Sequence, residues 1–257
     1  MANRHGDFIW YELLTTDADA AARFYEAVIG WNARAFEGSD IGYRLFSIGG
    51  TDVAGFMPIP ADAKDMRPGW LGYVGVDDVD KIAAEIVQVG GTQHMPPTDI
   101  PGVGRFAMVA DPQGVPFYVM RGATEGTSTS FSPKQTGHCQ WNELSTTDQQ
   151  AALAFYKARF GWDKGDAMPM GEMGDYQFIT HHGETIGAVM RRTPDGPPPA
   201  WTFYFGIEDI DVAARAISGN GGTIHYGPAE VPGDFFIIVA SDPQGALFGL
   251  VGPRIPA

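Results

Sequence analysis

Two tryptophan–glutamate pairs hold the side chains best suited to chemistry in this sequence: Trp10 with Glu12 in "WYELLTTD", and Trp141 with Glu143 in "WNELSTTD". Residues two apart on a strand share a face, so each carboxylate stands beside an indole wall. A flat indole suits a planar or apolar ligand, and desolvation beside it raises a carboxyl's pKa toward general-base work. A structural role fits the same residues, with each glutamate accepting hydrogen bonds from neighbouring strands or pairing with a local arginine. If Trp10 faces a ligand, Phe8, Glu12 and Leu14 share its face, while Ile9, Tyr11 and Leu13 turn toward a helix. The second phrase repeats the pattern with Cys139, Trp141, Glu143 and Ser145. His94 and His225 hold equivalent places after a Gly-Gly turn, as packed strand residues or as site residues. His181 and His182 are adjacent, and on a strand they would point to opposite faces and chelate poorly.

The elements that must position these groups are written twice. Phe24–Tyr25 and Gly30–Trp31 return as Phe155–Tyr156 and Gly161–Trp162, each 131 residues later. Trp70, Tyr73, Gly90–Gly91, His94 and the "DPQG" at Asp111 return at the same spacing, as Trp201, Tyr204, Gly221–Gly222, His225 and Asp242. Tyr43 and Met57 pair with Tyr176 and Met190 at a spacing of 133. Collinear matches with compensating shifts identify a tandem duplication. Copy one spans residues 1–121, and copy two spans 137–257. Residues 122–136, rich in Gly, Ser and Thr, read as a flexible connector.

Within each copy the rhythm is strand, helix, three strands, performed twice. "DFIWYELLT" has strand composition. Thr16 or Asp17 suits a helix N-cap, apolar residues then recur at helical spacing, and Gly30 can close the helix. "DPQG" and "IPG" read as turn chemistry without a catalytic claim.

The bulk composition narrows the function classes. A net charge of −14 opposes nonspecific binding to nucleic acid or anionic lipid. No apolar run is long enough to span a bilayer, and the opening residues lack a signal-peptide core, so the cytoplasm is the expected address. Cys139 is the single cysteine, which excludes an internal disulfide or a cysteine zinc cage.

The "TTD" strand, the helix with "FY" and "GW", the "VDDVD" or "IEDID" junction and the closing "DPQG" together resemble the vicinal oxygen chelate superfamily of glyoxalases, bleomycin-resistance proteins and extradiol dioxygenases. The resemblance implies an α+β fold of tandem glyoxalase-like domains, with four βαβββ modules curling mixed sheets into cup-shaped sites. It also implies where a metal would be held. The usual first ligand falls at Trp10 and Trp141, the next near Trp70 or Leu71 and Trp201 or Thr202, and the last at Tyr118 and Gly249. The fourth falls in apolar segments. Indole, phenol and aliphatic groups are poor ligands, so the expectation is no cofactor and no metal at the usual positions. An atypical divalent site built from Glu12 or Glu143 with a histidine stays open.

Three functions follow. The first is a metal-independent protein that binds a small, partly aromatic metabolite, with Glu12 and Glu143 as catalytic bases. Trp10, Trp141, Tyr118, Trp70, Trp201, His94 and His225 are its candidate ligand-binding residues, and Gly249 leaves the second cup more open than the first. The second is a metal-dependent glyoxalase-type lyase or dioxygenase with atypical ligands. The third is a non-catalytic protein that sequesters a flat or cationic drug. The expected partner is a small molecule, with neither nucleic acid nor membrane, and with the two halves pairing intramolecularly.

Overall fold

The computed structural model describes residues 3–256 except 38, 62, 64 and 194. The first copy runs β1 (Phe8–Thr15), α1 (Ala18–Ile29), β2 (Asn32–Ala35), β3 (Arg44–Ile48), β4 (Thr51–Pro58), then β5 (Gly69–Gly75), α2 (Val79–Gln88), β6 (Thr92–Ile100), β7 (Gly104–Ala110) and β8 (Pro116–Gly122). The second repeats the order with β9 (Cys139–Thr146), α3 (Gln149–Phe160), β10 (Asp163–Pro169), β11 (Asp175–His181), β12 (Glu184–Arg191), β13 (Ala200–Gly206), α4 (Ile210–Gly219), β14 (Thr223–Val231), β15 (Phe235–Ser241) and β16 (Leu247–Gly252). Each copy builds one eight-stranded mixed sheet, ordered β2-β3-β4-β1-β5-β8-β7-β6 and β10-β11-β12-β9-β13-β16-β15-β14. The fold is α+β, with four strand–helix–three-strand modules. Among the described residues, no helix is long and apolar enough to cross a membrane.

The repeated aspartates start the helices. Asp17 accepts from the Ala20 amide, Asp78 from Lys81, Asp148 from Ala151, and Asp209 from Asp211 and Val212. Each such cap contributes about 1 kcal/mol by satisfying an otherwise unpaired first-turn amide. Gly30 and Gly161 end α1 and α3 at φ 85° and 73°, a left-handed conformation that a side chain would strain. The short strand β2 has no apolar alternation and lies largely exposed.

Compact units do not follow the copies. One unit gathers the chain up to Ile9, Leu71–Ser128 and Trp141–Trp201, and the other gathers Trp10–Trp70, Thr129–Gln140 and Thr202 onward. Each unit therefore joins one module from each copy, and the repeated aromatic residues make the join. In the second unit, Tyr25 meets Trp31, Phe46, Trp70 and Phe248 at ring distances of 5.9, 5.7, 5.3 and 5.4 Å. Trp31 Nε1 donates to the Gly137 carbonyl at 2.7 Å. In the first unit, Tyr156 stacks on Trp162 at 5.1 Å and meets Trp201 at 5.5 Å, and Trp162 Nε1 donates to the Gly6 carbonyl at 2.8 Å.

The connector is tied down, contrary to its composition. The Ser128 hydroxyl donates to the Ile9 carbonyl at 2.5 Å, and its amide donates to Asn3 Oδ1 at 2.7 Å. Ser130 is buried, and Phe131 bridges to Cys139. Backbone bonding holds this stretch where glycine and serine content alone suggests freedom.

Candidate ligand-binding site

Burial alternates on β9, where Asn142 and Leu144 are buried and Trp141 and Glu143 half-buried, whereas on β1 Trp10 alone is half-buried and Glu12 is only 4% exposed. Tyr11 and Leu13 are fully buried, with Tyr11 packed edge-on against Phe203 and Phe205. Trp10 and Glu12 leave the opposite face of the strand. Phe8 has the parity of Trp10 but is buried in the aromatic core, stacked on Trp162 at 5.1 Å.

In the second copy, three side chains form a relay. Trp141 Nε1 donates to Tyr176 Oη at 2.8 Å, and Tyr176 Oη donates to Glu143 Oε2 at 2.6 Å. β9 carries Trp141 and Glu143, while Tyr176 comes from β11, two strands away across β12. The indole and phenol planes lie within 6° of parallel with centroids 6.5 Å apart. The indole N–H lies in its ring plane, so its bond to the phenol oxygen sets the two nearly parallel rings side by side as a platform. Phe178 meets both rings nearly at right angles, at 5.7 Å from each. Burial first, then the nearby Glu143 charge and hydrogen bond, push the Tyr176 phenol well above its ordinary value, while the Trp141 bond opposes this. Tyr176 therefore keeps its proton and orients the carboxylate; it is no source of a transferable proton.

The first copy varies this design. Trp10 Nε1 donates to Tyr43 Oη at 2.9 Å, and Glu12 lies opposite Gly55 in the β1–β4 register. A Cβ on Gly55 would stand 1.9 Å from Tyr43 Oη, so the phenol rests on the bare backbone. In the second copy Ala188 stands opposite Glu143, and its methyl group occupies that place. Tyr43 and Tyr176 were visible in the sequence as a repeat pair. Only the lateral order of β1, β4 and β3 reveals their role.

Other sequence-predicted residues are placed differently. Trp70 and Trp201 are not ligand walls. Each is buried in a helix-side core, donating to Tyr25 Oη at 2.8 Å and to Tyr156 Oη at 3.2 Å respectively. Tyr118 is buried and stacked on its strand partner Tyr73 at 4.2 Å and 19°. Gly249 does not leave open space, because a Cβ there would stand 2.4 Å from the Tyr204 ring. His94 and His225 are exposed at register shifts in the edge strands β6 and β14, with His225 Nε2 3.0 Å from Ser241 Oγ.

The residues at the family's usual metal positions do not fit a metal. Trp10 and Trp141 are committed as indole donors to phenols, and Trp70 and Trp201 do the same within the cores. Indole nitrogen offers no lone pair for coordination. One group of histidine and carboxylate donors comes close enough for a cation among the described residues: Asp7, His181 and His182. It includes neither glutamate. The adjacent histidines do not diverge as strand neighbours would, because His182 lies beyond the strand end at φ 49°, and the rings stand 4.0 Å apart.

Comparison with known proteins agrees with this architecture. Residues 8–119 and 135–250 each match the model of the Glyoxalase/Bleomycin resistance protein/Dioxygenase superfamily. The chain is 33% identical over 253 residues to CFP32 of Mycobacterium tuberculosis, whose name carries the word glyoxylase, covering 97% of this chain and 96% of that one. It is 31% identical over 261 residues to the anthracycline biosynthesis protein DnrV of Streptomyces peucetius, covering 95% and 92%. Among solved structures, the Mn(II)-bound glyoxalase from Novosphingobium aromaticivorans superposes with a TM-score of 0.65 at 18% identity, covering 99% of this chain and 88% of that one. With both copies matched and the modules in the same order, this chain belongs to the glyoxalase/bleomycin resistance/dioxygenase superfamily as a tandem two-copy member.

Proposed function

We propose that this chain binds a planar, hydroxylated aromatic metabolite or drug against the Trp141–Tyr176 platform, with Trp10–Tyr43 as its counterpart, and that Glu143 and Glu12 act as bases toward it. The observation that carries this reading is the relay from Trp141 through Tyr176 to Glu143, with bonds of 2.8 and 2.6 Å. A flat platform favours a ring system by stacking. A carboxylate fixed beside it by a phenol is placed to accept a proton from a ligand hydroxyl or an activated C–H. The relative named for anthracycline biosynthesis supports a polycyclic ligand of this type.

The base would act without a metal. The ligand lies on the platform, the carboxylate takes the proton, and Tyr176 holds the carboxylate in one orientation throughout. The ligand's conjugated ring takes up the electron pair left behind, and return of the proton elsewhere on the ring gives an isomer. Sequestration of a drug is the second reading; it shares the platform and lacks this step.

A dihydroxyanthraquinone titrated against the full chain tests the proposal through tryptophan fluorescence. Binding near about 10 µM, weakened at least about tenfold in Trp141→Phe or Trp10→Phe, is expected. Saturation at the same concentration in both variants, or no quenching, overturns it. Exchange of ligand protons with deuterated solvent, lost in Glu143→Gln, separates proton transfer from sequestration.

A further inference from the structure

A second site is built where the segment before β1 crosses the end of β11. We infer that Asp7, His181 and His182, with the main-chain carbonyl of His5, form a binding site for Zn²⁺ or another borderline divalent cation, away from the glutamates of the proposed ligand site.

The distances suit a small tetrahedral ion. His181 Nε2 stands 3.0 Å from the His5 carbonyl oxygen and 3.5 Å from Asp7 Oδ1. Bonds of about 2.0–2.1 Å to a tetrahedral zinc put its ligands roughly 3.3–3.4 Å apart, so these two separations bracket the required edge. A donor atom of His182 completes the group, with all the side-chain donor atoms within 4.8 Å of one another. Two imidazoles and a carboxylate select borderline cations over Mg²⁺ or Ca²⁺, which prefer oxygen alone.

The surroundings prearrange the donors. Arg4 Nε holds Asp7 Oδ2 at 3.1 Å, and its guanidinium reaches Oδ1 at 3.2 Å. A cation bound at Oδ1 would displace only the second of these contacts. His181 is buried, and its ring has a further backbone partner at Gly161. Such outer contacts fix a ligating imidazole's orientation. Gly6 lets the strap pass close, since a Cβ there would stand 2.9 Å from His181 Nε2. His182 is exposed, which gives an ion a way in. Its left-handed backbone, shared with Gly183, is what the two-residue turn between β11 and β12 requires. Binding would clamp the strap that carries Asp7 to the β11–β12 hairpin.

Calorimetric titration of chelator-treated full chain with Zn²⁺ tests the inference, with Co²⁺ absorption as a second readout. One ion per chain at about 10 µM or tighter is expected, with visible tetrahedral Co²⁺ bands and a melting temperature raised by about 3–8 °C. His182→Asn accepts the left-handed backbone, so it should fold; it and Asp7→Asn should weaken zinc at least about twentyfold, while His225→Asn leaves binding unchanged. Absence of binding up to about 1 mM Zn²⁺ would overturn the site. Equal affinity in His182→Asn would do the same.

Discussion

Tyr25 Oη donates to Asp242 Oδ2 at 3.2 Å, joining residues 217 positions apart, and Tyr156 repeats the bond to Asp111 Oδ2 at 3.1 Å. The aspartates belong to the "DPQG" turns, where Asp242 also accepts from the Gln244 and Ala246 amides, and Asp111 from those of Gln113 and Val115. One buried carboxylate thus shapes its own turn and holds a helix of the other copy. Tyr25→Phe should cost about 1–2 kcal/mol, and Asp242→Ala about 3 kcal/mol because several buried donors lose their acceptor. Urea unfolding measures both; equal effects would show that the turn amides find other partners.

The same carboxyls give the protein an acid response of unusual sign. Burial lifts Asp111 and Asp242 above the ordinary carboxylate value, with the turn amides and tyrosines opposing. A folded-state pKa above the unfolded one means that the folded chain binds more protons across that window. The contribution is present at low pH and lost as pH rises through the raised value. Asp111→Asn/Asp242→Asn should therefore lose more melting temperature than wild type on going from about pH 7 to about pH 4.5. Equal losses in the two proteins would refute the assignment.

Alkaline titration reads the buried phenols. Tyr25 and Tyr156 are raised by burial and then by their aspartates, and Tyr176 by burial and then by Glu143. Folded protein at about pH 11 should keep at least three of its nine tyrosines un-ionised by ultraviolet difference absorption. Tyr176→Phe should remove one of the silent set. The stability these groups give is present below the ordinary value of 10.0 and is lost as pH rises beyond it. Ionisation of all nine phenols before unfolding would contradict their burial.

Gly55→Ala should force Tyr43 away from β4, toward the arrangement Tyr176 has over Ala188. The displacement costs about 1–3 kcal/mol of overpacking, whereas Ala188→Gly should cost less than about 1 kcal/mol. Chemical denaturation gives the energies, and the emission of Trp10, which loses its bond to Tyr43, reports the motion.

Much of the fold was legible because the repeat carries its own punctuation. Of the two N-cap readings, Thr16 or Asp17, the helix takes Asp17, and Gly30 closes it; Asp148 and Gly161 do the same at the repeat positions. The recurrence of Trp10 and Glu12 as Trp141 and Glu143 was equally readable. Trp70 and Trp201 were misread because one residue of register decides which face a strand residue takes, and the partners Tyr25 and Tyr156 lie 45 positions earlier. The space assigned to Gly249 depended on Tyr204, a neighbour only across the β13–β16 pair. The His181–His182 pair was read as diverging strand neighbours, whereas strand periodicity ends one residue early, at a turn with positive φ.

The reciprocal bonds from Trp31 to Gly137 and from Trp162 to Gly6 bear on how the protein behaves on dilution. A single copy made alone would present Tyr25, Trp31 and Trp70 without the groups that cover and bond them, and could bury them only by finding a second molecule. Joined in one chain, the copies meet at a local concentration set by the tether, on the order of millimolar. Assembly of this fold should then be first order in protein, with a denaturation midpoint constant from micromolar to nanomolar samples.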